Sequence, residues 1–316
     1  MTKIKVTGNA TPPVFFRLAK LWATKVKNGR VDIPALYGNG YCAGCVFNEN
    51  IRMLILNYKL NEETIIENPE FNTPGKTILF KFQNVHSNLF LKQSPSVLIA
   101  TSRFNTDEVI AIQENTASVN IEVNSQYLEE LFALSQKSPV LQSLSQNAQP
   151  LLFEQMISPG IQKILDEITS EAIDDNFKWV FRKIKAEELI CMLLMKLEER
   201  EEKQLYPLKG KDVQSIYDIR ERMLTNLNEP PVIQDLAIEA NMSTTKLRTL
   251  FRQIFGDSIF GHYQKYRMKE AARLLKDERL SVSEVGYKLG FSNLSHFTRV
   301  FEEHIGMKPK KFSTGG

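Results

Sequence analysis

Two stretches near the end of the chain decide its fold, because the second repeats the pattern of the first. Residues 236–256 read LAIEANMSTTKLRTLFRQIFG, and residues 285–306 read VGYKLGFSNLSHFTRVFEEHIG. Equivalent residues recur at an offset of 49 before the central turn and 50 after it, so one extra residue lies near Asn293. The segment is therefore an internal duplication.

Each copy has the pattern of two short helices joined by a tight turn. A small residue in the first helix, Ala237 or Gly286, lets the two helices cross closely. Ser243 in the first copy, and Ser292 or Asn293 in the second, can cap the second helix. Apolar residues recur at helical spacing along this second helix in both copies, at Leu247, Leu250, Phe251 and Ile254 and at Phe297, Val300, Phe301 and Ile305. The pattern predicts two helix-turn-helix units.

A long helical pattern, from about Ser258 to Asp277, separates the two copies. Its apolar residues follow the spacing of one helix face, at Met268, Ala271, Ala272 and Leu275. About 20 residues at about 1.5 Å each give a rod of about 30 Å, and one turn of DNA is about 34 Å. We therefore expect an all-α C-terminal domain that sets two recognition helices in successive major grooves.

From about residue 216 to 312, the chain resembles the AraC/XylS family of bacterial transcription regulators. Three groups of residues carry the resemblance: Ala237, Ser243, Leu247, Phe251 and Gly256; Tyr266-Arg267-Met268, Ala271 and Leu274-Leu275; and Val285-Gly286, Gly290-Phe291-Ser292, Phe297, Phe301 and Gly306-Met307-Lys308-Pro309. Gly286 departs from the family, which more often has alanine there, but the position requires only a small residue. The resemblance implies a sequence-specific regulator whose partners are double-stranded DNA and, if it activates transcription, RNA polymerase.

The resemblance also implies which side chains read DNA. They lie on the exposed faces of the two recognition helices: Thr244, Thr245, Lys246, Arg248, Thr249 and Arg252 in the first unit, and Leu294, Ser295, His296, Thr298 and Arg299 in the second. Arg248 suits bidentate recognition of guanine, and Thr245 suits a thymine methyl group or the backbone. Arg299 is expected to contact backbone or base. Phosphate contacts are expected from Arg252 and from three lysines of the tail: Lys308, Lys310 and Lys311.

The N-terminal half shows strand patterns from about residue 36 to 123. Short apolar or alternating runs separated by Asn, Pro, Gly and Asp occur at Ile51–Leu60, Thr77–Phe82, Ser96–Ala100 and Ser118–Val123. In the last run, Val119, Ile121 and Val123 alternate with polar residues, as one buried sheet face requires. The spacing predicts a small barrel or sandwich, and the whole chain is expected to be of the α+β class.

Helical patterns follow from residue 124, where Asn124 or Ser125 can cap the first helix. Two longer stripes come next, at Ile161, Ile164, Leu165 and Ile168 and at Leu189, Met192, Leu193 and Leu197. Such stripes either pack against the strands or form a homodimer surface through helices within 157–203. Residues 206–215 are interpreted as a linker, which divides a sensor or dimerisation domain (1–205) from a DNA-binding domain (216–316).

Residues 1–205 resemble, more loosely, the sensor domains of AraC-type regulators, which have a cupin-like barrel followed by helices. The run FRKIKAEELICMLL at residues 181–194 is similar to a helix of the subgroup that includes siderophore-responsive regulators. The resemblance implies a small-molecule effector, dimerisation, or both, without identifying the effector or its binding residues. A regulator controlled through a protein partner is the alternative.

Composition is that of an ordinary globular protein of about two domains. The 316 residues are 42% hydrophobic and 24% charged, with no apolar run long enough to span a bilayer and no secretion signal at the start. Three cysteines are too few for a disulfide framework, so we expect a cytoplasmic protein. The net charge is +3, and residues 212–316 hold 16 Lys and Arg against 13 Asp and Glu. The whole positive excess lies in the C-terminal third.

Catalytic or metal chemistry has little support in the sequence. Cys42 and Cys45 have the spacing of half a zinc site or a redox pair, but they are more simply interpreted as two cysteines on a turn between strands. His86 is the only histidine before residue 262, too few for the metal of a cupin enzyme, and His304 is expected to line the core. We predict no cofactor, metal or catalytic residue; an enzyme with a DNA-binding tail is a distant alternative.

Overall fold

The computed structural model describes residues 11–61, 76–85, 95–101 and 115–314, which divide into two compact units. The first unit ends at Gly210 and the second begins at Lys211. The first is a mixed α/β unit with an antiparallel sheet, and the second is helical throughout its described residues. His86 lies outside the described residues.

The first unit is built on one sheet of seven antiparallel strands in the order β1-β2-β3-β6-β4-β5-β7. The strands are β1 (Arg30–Asp32), β2 (Gly38–Val46), β3 (Ile51–Leu60), β4 (Thr77–Gln83), β5 (Ser96–Thr101), β6 (Asn115–Asn124) and β7 (Leu152–Met156). The helices are α1 (Pro13–Leu21), α2 (Ser125–Phe132), α3 (Pro139–Gln146), α4 (Pro159–Thr169) and α5 (Asp175–Glu198).

All four strands predicted from the sequence are confirmed, as β3, β4, β5 and β6. Asn124 caps α2, since its side chain accepts a hydrogen bond from the backbone N–H of Gln126. Strands β1, β2 and β7 do not belong to the runs that the sequence pattern predicts. β2 reads GNGYCAGCV, and its three glycines and its polar residues hide the alternation that marks a strand.

The main core of this unit lies between one sheet face and the helices. Phe80, Ile99 and Ile121 on that face are fully buried together with Leu165 of α4 and Leu193 of α5. Burying each such side chain contributes about 1.5–3 kcal/mol. The stripes noted in the sequence are mostly part of this core, because only Met192 among them remains partly exposed. Packing within the unit therefore accounts for those stripes, and a dimer surface must use other residues.

Cys42 and Cys45 lie inside strand β2 and not on a turn. Cys42 packs in a small cluster with α1, whereas Cys45 packs against the main core on the other face. Three residues of strand span about 10 Å, which exceeds the roughly 7 Å between Cα atoms that a disulfide tolerates. The two thiols are free and cannot join without rearranging the sheet.

The second unit consists of seven helices among its described residues. They are α6 (Gly210–Thr225), α7 (Ile233–Glu239), α8 (Thr244–Phe255), α9 (Ile259–Lys276), α10 (Val282–Lys288), α11 (Leu294–Ile305) and α12 (Pro309–Ser313). α6 begins inside the segment 206–215 that the sequence analysis assigns to the linker, and its Val213 is fully buried. Gly210 and the charged residues around it conceal this helix start in the sequence.

Candidate nucleic-acid interface

The duplicated sequence forms two similar helix pairs, α7 with α8 and α10 with α11. The side chain of Ser243 accepts a hydrogen bond from the N–H of Lys246, and that of Asn293 accepts from the N–H groups of Ser295 and His296. Each cap fixes the residue at which the second helix of its pair begins. Of the two residues that could cap the second copy, the structure uses Asn293.

Both second helices end in the same way. The backbone of Gly256 has φ +74°, and that of Gly306 has φ +84°, the left-handed conformation that side chains other than glycine's adopt only with strain. The cap and the terminal glycine together give α8 and α11 equal lengths of twelve residues.

The interiors of the two pairs are also equivalent. Phe251 of α8 and Phe301 of α11 stand at matching positions of the duplication, and both are fully buried. α8 and α11 both pack against α9, whose Met268 and Ala271 are completely covered. These contacts hold each helix with one face inward and one face toward solvent.

The outward face of α8 presents one cation that has no competing contact. Arg248 is exposed and forms no hydrogen bond or ion pair within the part of the chain that the structure describes. The ammonium of Lys246 is instead bound to Asp212 of α6, with 2.8 Å between Nζ and Oδ1. Thr245 and Arg252 are exposed, and Thr244 and Thr249 are half-buried. Arg248 is thus the side chain of α8 most available to a ligand.

The outward face of α11 differs in its charge. Ser295, His296 and Arg299 are exposed, and the guanidinium of Arg299 stands 4.0 Å from the carboxylate of Glu303. Leu294 and Thr298 are not fully exposed but half-buried. Leu294 lies so close to Gly286 of α10 that a Cβ atom added to this glycine would be 2.6 Å from Leu294 Cδ2. Leu294 therefore packs against α10 and does not stand fully free on the surface.

The C-terminal tail adds cations beyond α11. Lys308, Lys310 and Lys311 are all exposed around α12. His304 is exposed as well, with its Nδ1 2.9 Å from the carbonyl oxygen of Val300. The expectation that His304 lines the core is wrong. Phe301 and Ile305 face the core, whereas His304, which lies between them in the sequence, is outside the apolar face of α11.

A buried histidine in the first copy carried no signal in the sequence. His262 of α9 packs among the rings of Phe251, Phe255 and Tyr266, with centroid distances of 5.3, 4.9 and 4.9 Å. Burial, helped by the nearby cation of Arg220, lowers the pKa of His262 to about 3. The imidazole is therefore neutral at pH 7 and belongs to the core, not to the exposed surface.

The described residues contain neither a metal site nor a membrane-spanning helix. Across residues 11–61, 76–85, 95–101 and 115–314, no three His, Cys, Asp or Glu side chains gather closely enough to hold a metal ion. Over the same ranges, no helix is both long and apolar enough to cross a membrane.

Comparison with known proteins places the C-terminal unit. A family model described as a helix-turn-helix domain matches residues 236–315. The transcription factor PqrA of Proteus vulgaris, named as probable, is 30% identical over 103 residues, which are 32% of this chain and 84% of PqrA. The regulator GbdR of Pseudomonas aeruginosa is 30% identical over 118 residues, 36% of this chain. The regulatory protein PchR of the same species is 41% identical over 71 residues, 22% of this chain.

These matches define the class of protein. The matched segment spans only 32% of the length of GbdR and 24% of that of PchR, so it describes the C-terminal unit and not the whole relatives. The C-terminal unit is the helix-turn-helix DNA-binding unit of a transcription regulator. The chain belongs to the AraC/XylS family.

Proposed function

We propose that this regulator reads two successive major grooves with paired helix-turn-helix units, α7–α8 and α10–α11, under the control of a small molecule bound by the first unit. The observation that carries the DNA-reading part is the equivalence of the two pairs. They share the cap, the terminal glycine and the buried phenylalanine, and one helix joins them.

The length of that helix supports reading of adjacent grooves. α9 has 18 residues, and at about 1.5 Å each this gives about 27 Å. One turn of DNA is about 34 Å, so the offset between α8 and α11 can be close to one turn. Two readers on one chain would allow a monomer to contact both grooves.

The side chains proposed to enter the grooves are those on the outward faces of α8 and α11. Arg248 has no competing partner, so it can offer both guanidinium donors to guanine. Ser295, His296 and Arg299 are exposed at the corresponding part of α11. Arg252 and the tail lysines are proposed to contact phosphates, which supply affinity without sequence preference.

The test is a selection of genomic fragments by the purified full-length protein at moderate salt, followed by sequencing. A site with two short elements about one helical turn apart would support the double-reader mechanism. Binding that is independent of sequence and strongly weakened by salt would contradict it, because phosphate contacts alone behave in this way. Repeating the selection with added cell metabolites separates a missing effector from a wrong assignment of the reading faces.

Control by a small molecule is supported by strand β6. Ser118, Asn120 and Glu122 alternate along one face of β6, and they are only 3%, 7% and 5% exposed. Each has a side-chain oxygen without a hydrogen-bond partner, although Arg52 Nε donates to the other oxygen of Glu122 at 2.7 Å. An unsatisfied buried polar atom costs about 1–3 kcal/mol. A bound molecule that donates hydrogen bonds to this row would remove that cost.

A protein partner acting on the first unit is the alternative form of control. Mass spectrometry of the purified protein, first native and then denatured, tests whether a small molecule is released. A compound that is released, rebinds saturably and changes DNA affinity supports the effector. The variant Asn120→Leu should lose that response, whereas Leu36→Ser, at an exposed site, should keep it. DNA affinity that responds only to a protein fraction contradicts small-molecule control.

Three features of the sequence analysis stay proposals. We propose that the sheet of the first unit is cupin-like, that the protein acts in the cytoplasm and, if it activates, that it contacts RNA polymerase. None of them enters the argument for DNA reading.

A second copy of this chain is the proposed partner of helix α5. Phe177, Val180, Ile184 and Met195 are exposed large apolar residues of this helix, and Cys191 is partly exposed. Phe177, Ile184 and Cys191 repeat every seven residues, the spacing of a two-helix seam. Self-pairing of the stripe would cover these side chains from water and give a homodimer.

The oligomeric state of full-length protein tests this pairing. Ile184→Ser should shift a dimer to monomer in sedimentation, while Leu36→Ser, which changes an equally exposed site elsewhere, should not. Cys191 then reports the orientation. If the helices are parallel, the two copies of Cys191 lie side by side, and oxidation should cross-link the wild-type protein. If the helices are antiparallel about Ile184, Cys191 lies opposite residue 177 of the other copy, and oxidation should cross-link only the variant Phe177→Cys. A dimer unaffected by Ile184→Ser, or a monomeric wild type, would contradict the proposal.

A further inference from the structure

The second unit contains a cleft that DNA reading does not account for. It has a volume of about 510 Å³ and lies between the first turns of α9 and the side of α11. Its walls include Phe260 and Gln264 of α9, Phe291 of the turn before α11, and Arg299 of α11. Ligand sites for small molecules usually occupy 300–1,000 Å³, so the cleft is large enough for one.

A buried cation stands at the base of the cleft. Arg267 is only 5% exposed, and its Nε donates to the carbonyl oxygen of Leu289 at 2.9 Å. Its guanidinium lies 3.8 Å from the ring centroid of Phe291. Among the described residues no carboxylate forms an ion pair with it. The carbonyl group of Leu289, at the end of α10, offers at most about half a negative charge. The full positive charge of Arg267 is therefore only partly balanced.

A buried amide next to this cation also lacks a partner. Gln264 lies one helical turn before Arg267 and is 7% exposed. Its Oε1 has no hydrogen-bond partner. Because the oxygen and nitrogen of an amide can exchange places by a flip, this side chain can equally offer its NH₂ group to an anion. It is a second buried polar group that a ligand would satisfy.

The remaining walls are apolar or positively charged. The ring of Phe260 is 53% exposed, so it offers an apolar surface to the cleft. Phe291 and Val300 complete the apolar surface, and Glu303 is the only carboxylate that lines the cleft within the described residues. Two guanidinium groups therefore face one carboxylate, which favours an anion that carries an apolar body.

We propose that this cleft binds a small aromatic carboxylate, with its ring against Phe260 and its carboxylate toward Gln264 and the guanidinium groups. A DNA phosphate would meet the same cations, but it would leave the exposed ring of Phe260 uncovered. Because Arg299 lines the cleft and also belongs to the outward face of α11, a bound carboxylate would lower the affinity of the second helix pair for DNA. The site lies wholly in the second unit and is independent of effector binding in the first.

The probe is 2-naphthoate, measured by equilibrium dialysis against the full-length protein, with 2-naphthamide as the uncharged control. We expect saturable binding of one naphthoate to the second unit, and binding of the amide weakened by roughly tenfold or more, because hydrogen bonds to a charged group are the stronger ones. The same titration should lower the affinity for the selected DNA site.

Variants locate the probe. Phe260→Ala and Gln264→Leu should each weaken naphthoate binding by about tenfold, and Tyr287→Ala, which removes an exposed ring elsewhere in the unit, should leave it unchanged. Circular dichroism checks that each variant is folded. Arg267 is left intact because its bond to Leu289 supports α10.

Three results would overturn the proposal. One is the absence of naphthoate binding at millimolar concentration. Another is binding that both cleft variants retain, which would place the probe in the first unit. The third is binding of naphthoate and naphthamide with equal affinity, which would assign the cleft to apolar contact alone. If wild type does not bind naphthoate and Gln264→Leu binds DNA more weakly, the cleft would be assigned to a DNA phosphate instead.

Discussion

The two helix pairs of the second unit have the same interior and different exteriors. In both pairs a capped helix of twelve residues buries a phenylalanine and ends at a left-handed glycine. Outside, α8 offers Arg248 without a partner, whereas α11 carries Glu302 and Glu303 beside Arg299. The two copies share what folding needs and differ on the faces that are proposed to meet DNA.

The largest expected effect tests the shared interior. Phe251→Ala and Phe301→Ala should each lower the free energy of unfolding of the second unit by about 3–5 kcal/mol, because each leaves a cavity. Urea unfolding followed by far-UV circular dichroism measures the loss. Both tryptophans, Trp22 and Trp179, are in the first unit, so their fluorescence is an internal control. Unequal losses between the two variants would show that the interiors are not equivalent.

The next effect separates the two exteriors. Arg248→Ala should cost about 1–3 kcal/mol of binding to the selected site and relax the preference for one base. Arg299→Ala should cost less than about 1 kcal/mol, because Glu303 already stands near that guanidinium. Affinity for matched and single-base-altered duplexes provides the comparison, with Lys276→Ala as an exposed-charge control. The assignment of reading faces fails if the double variant Arg248→Ala/Arg299→Ala keeps the wild-type site preference.

A third prediction exchanges one core residue between the copies. The duplication aligns His262 with Phe312, so a buried imidazole in the first copy stands where the second has a phenylalanine. Folding lowers the pKa of His262 from its ordinary value of about 6.5 to about 3, so the folded state disfavours a proton on this imidazole. The free energy of unfolding is therefore unaffected by His262 above pH 6.5, and it decreases as the pH falls from 6.5 toward 3. At pH 5 the loss is about 2 kcal/mol.

His262→Phe should remove this loss and flatten the stability of the second unit between pH 7 and pH 4.5. Unfolding followed by circular dichroism at several pH values measures it. His304→Gln, at an exposed site, should leave the pH dependence as in wild type. An unchanged profile in His262→Phe would mean that other groups cause the acid sensitivity.

The smallest effect concerns the two caps. Ser243 accepts one backbone N–H at 3.2 Å, whereas Asn293 accepts two, at 2.9 and 3.2 Å. Ser243→Ala should therefore cost about 1 kcal/mol, and Asn293→Ala somewhat more, within the range of about 0.5–2 kcal/mol for such caps. Thermal unfolding of the second unit ranks the two variants. The reverse order would indicate that the second hydrogen bond of Asn293 contributes nothing.

Much of the fold could be predicted because its signals are local. The duplicated pattern, the cap at Asn124 and four strands follow from residue spacing and capping chemistry, which act over a few residues. Strand β2 was missed because its glycines remove the alternation that a strand normally shows. Strand β7 is short and polar at one end, and its place beside β5 depends on a partner about 55 residues away. Periodicity carries no information about such partners.

The candidate site divides in the same way. Exposure of Arg248, Ser295 and Arg299 follows from the apolar stripe on the opposite face of each helix. The ion pair of Lys246 with Asp212 and the packing of Leu294 against Gly286 do not, because the residues concerned belong to different helices. The cleft at Phe260 likewise combines residues from two helices and a turn.

The sequence by itself determined the two copies, their caps and the face that the second helix of each copy turns outward, since these depend on residues that are close together in the chain. Only the tertiary structure decided which polar groups are buried. Asn120, Glu122, Gln264 and Arg267 have the residue types of a surface, but the elements around them close over their side chains. Burial is a property of the assembled fold, because it depends on segments that are distant in the chain and adjacent in space.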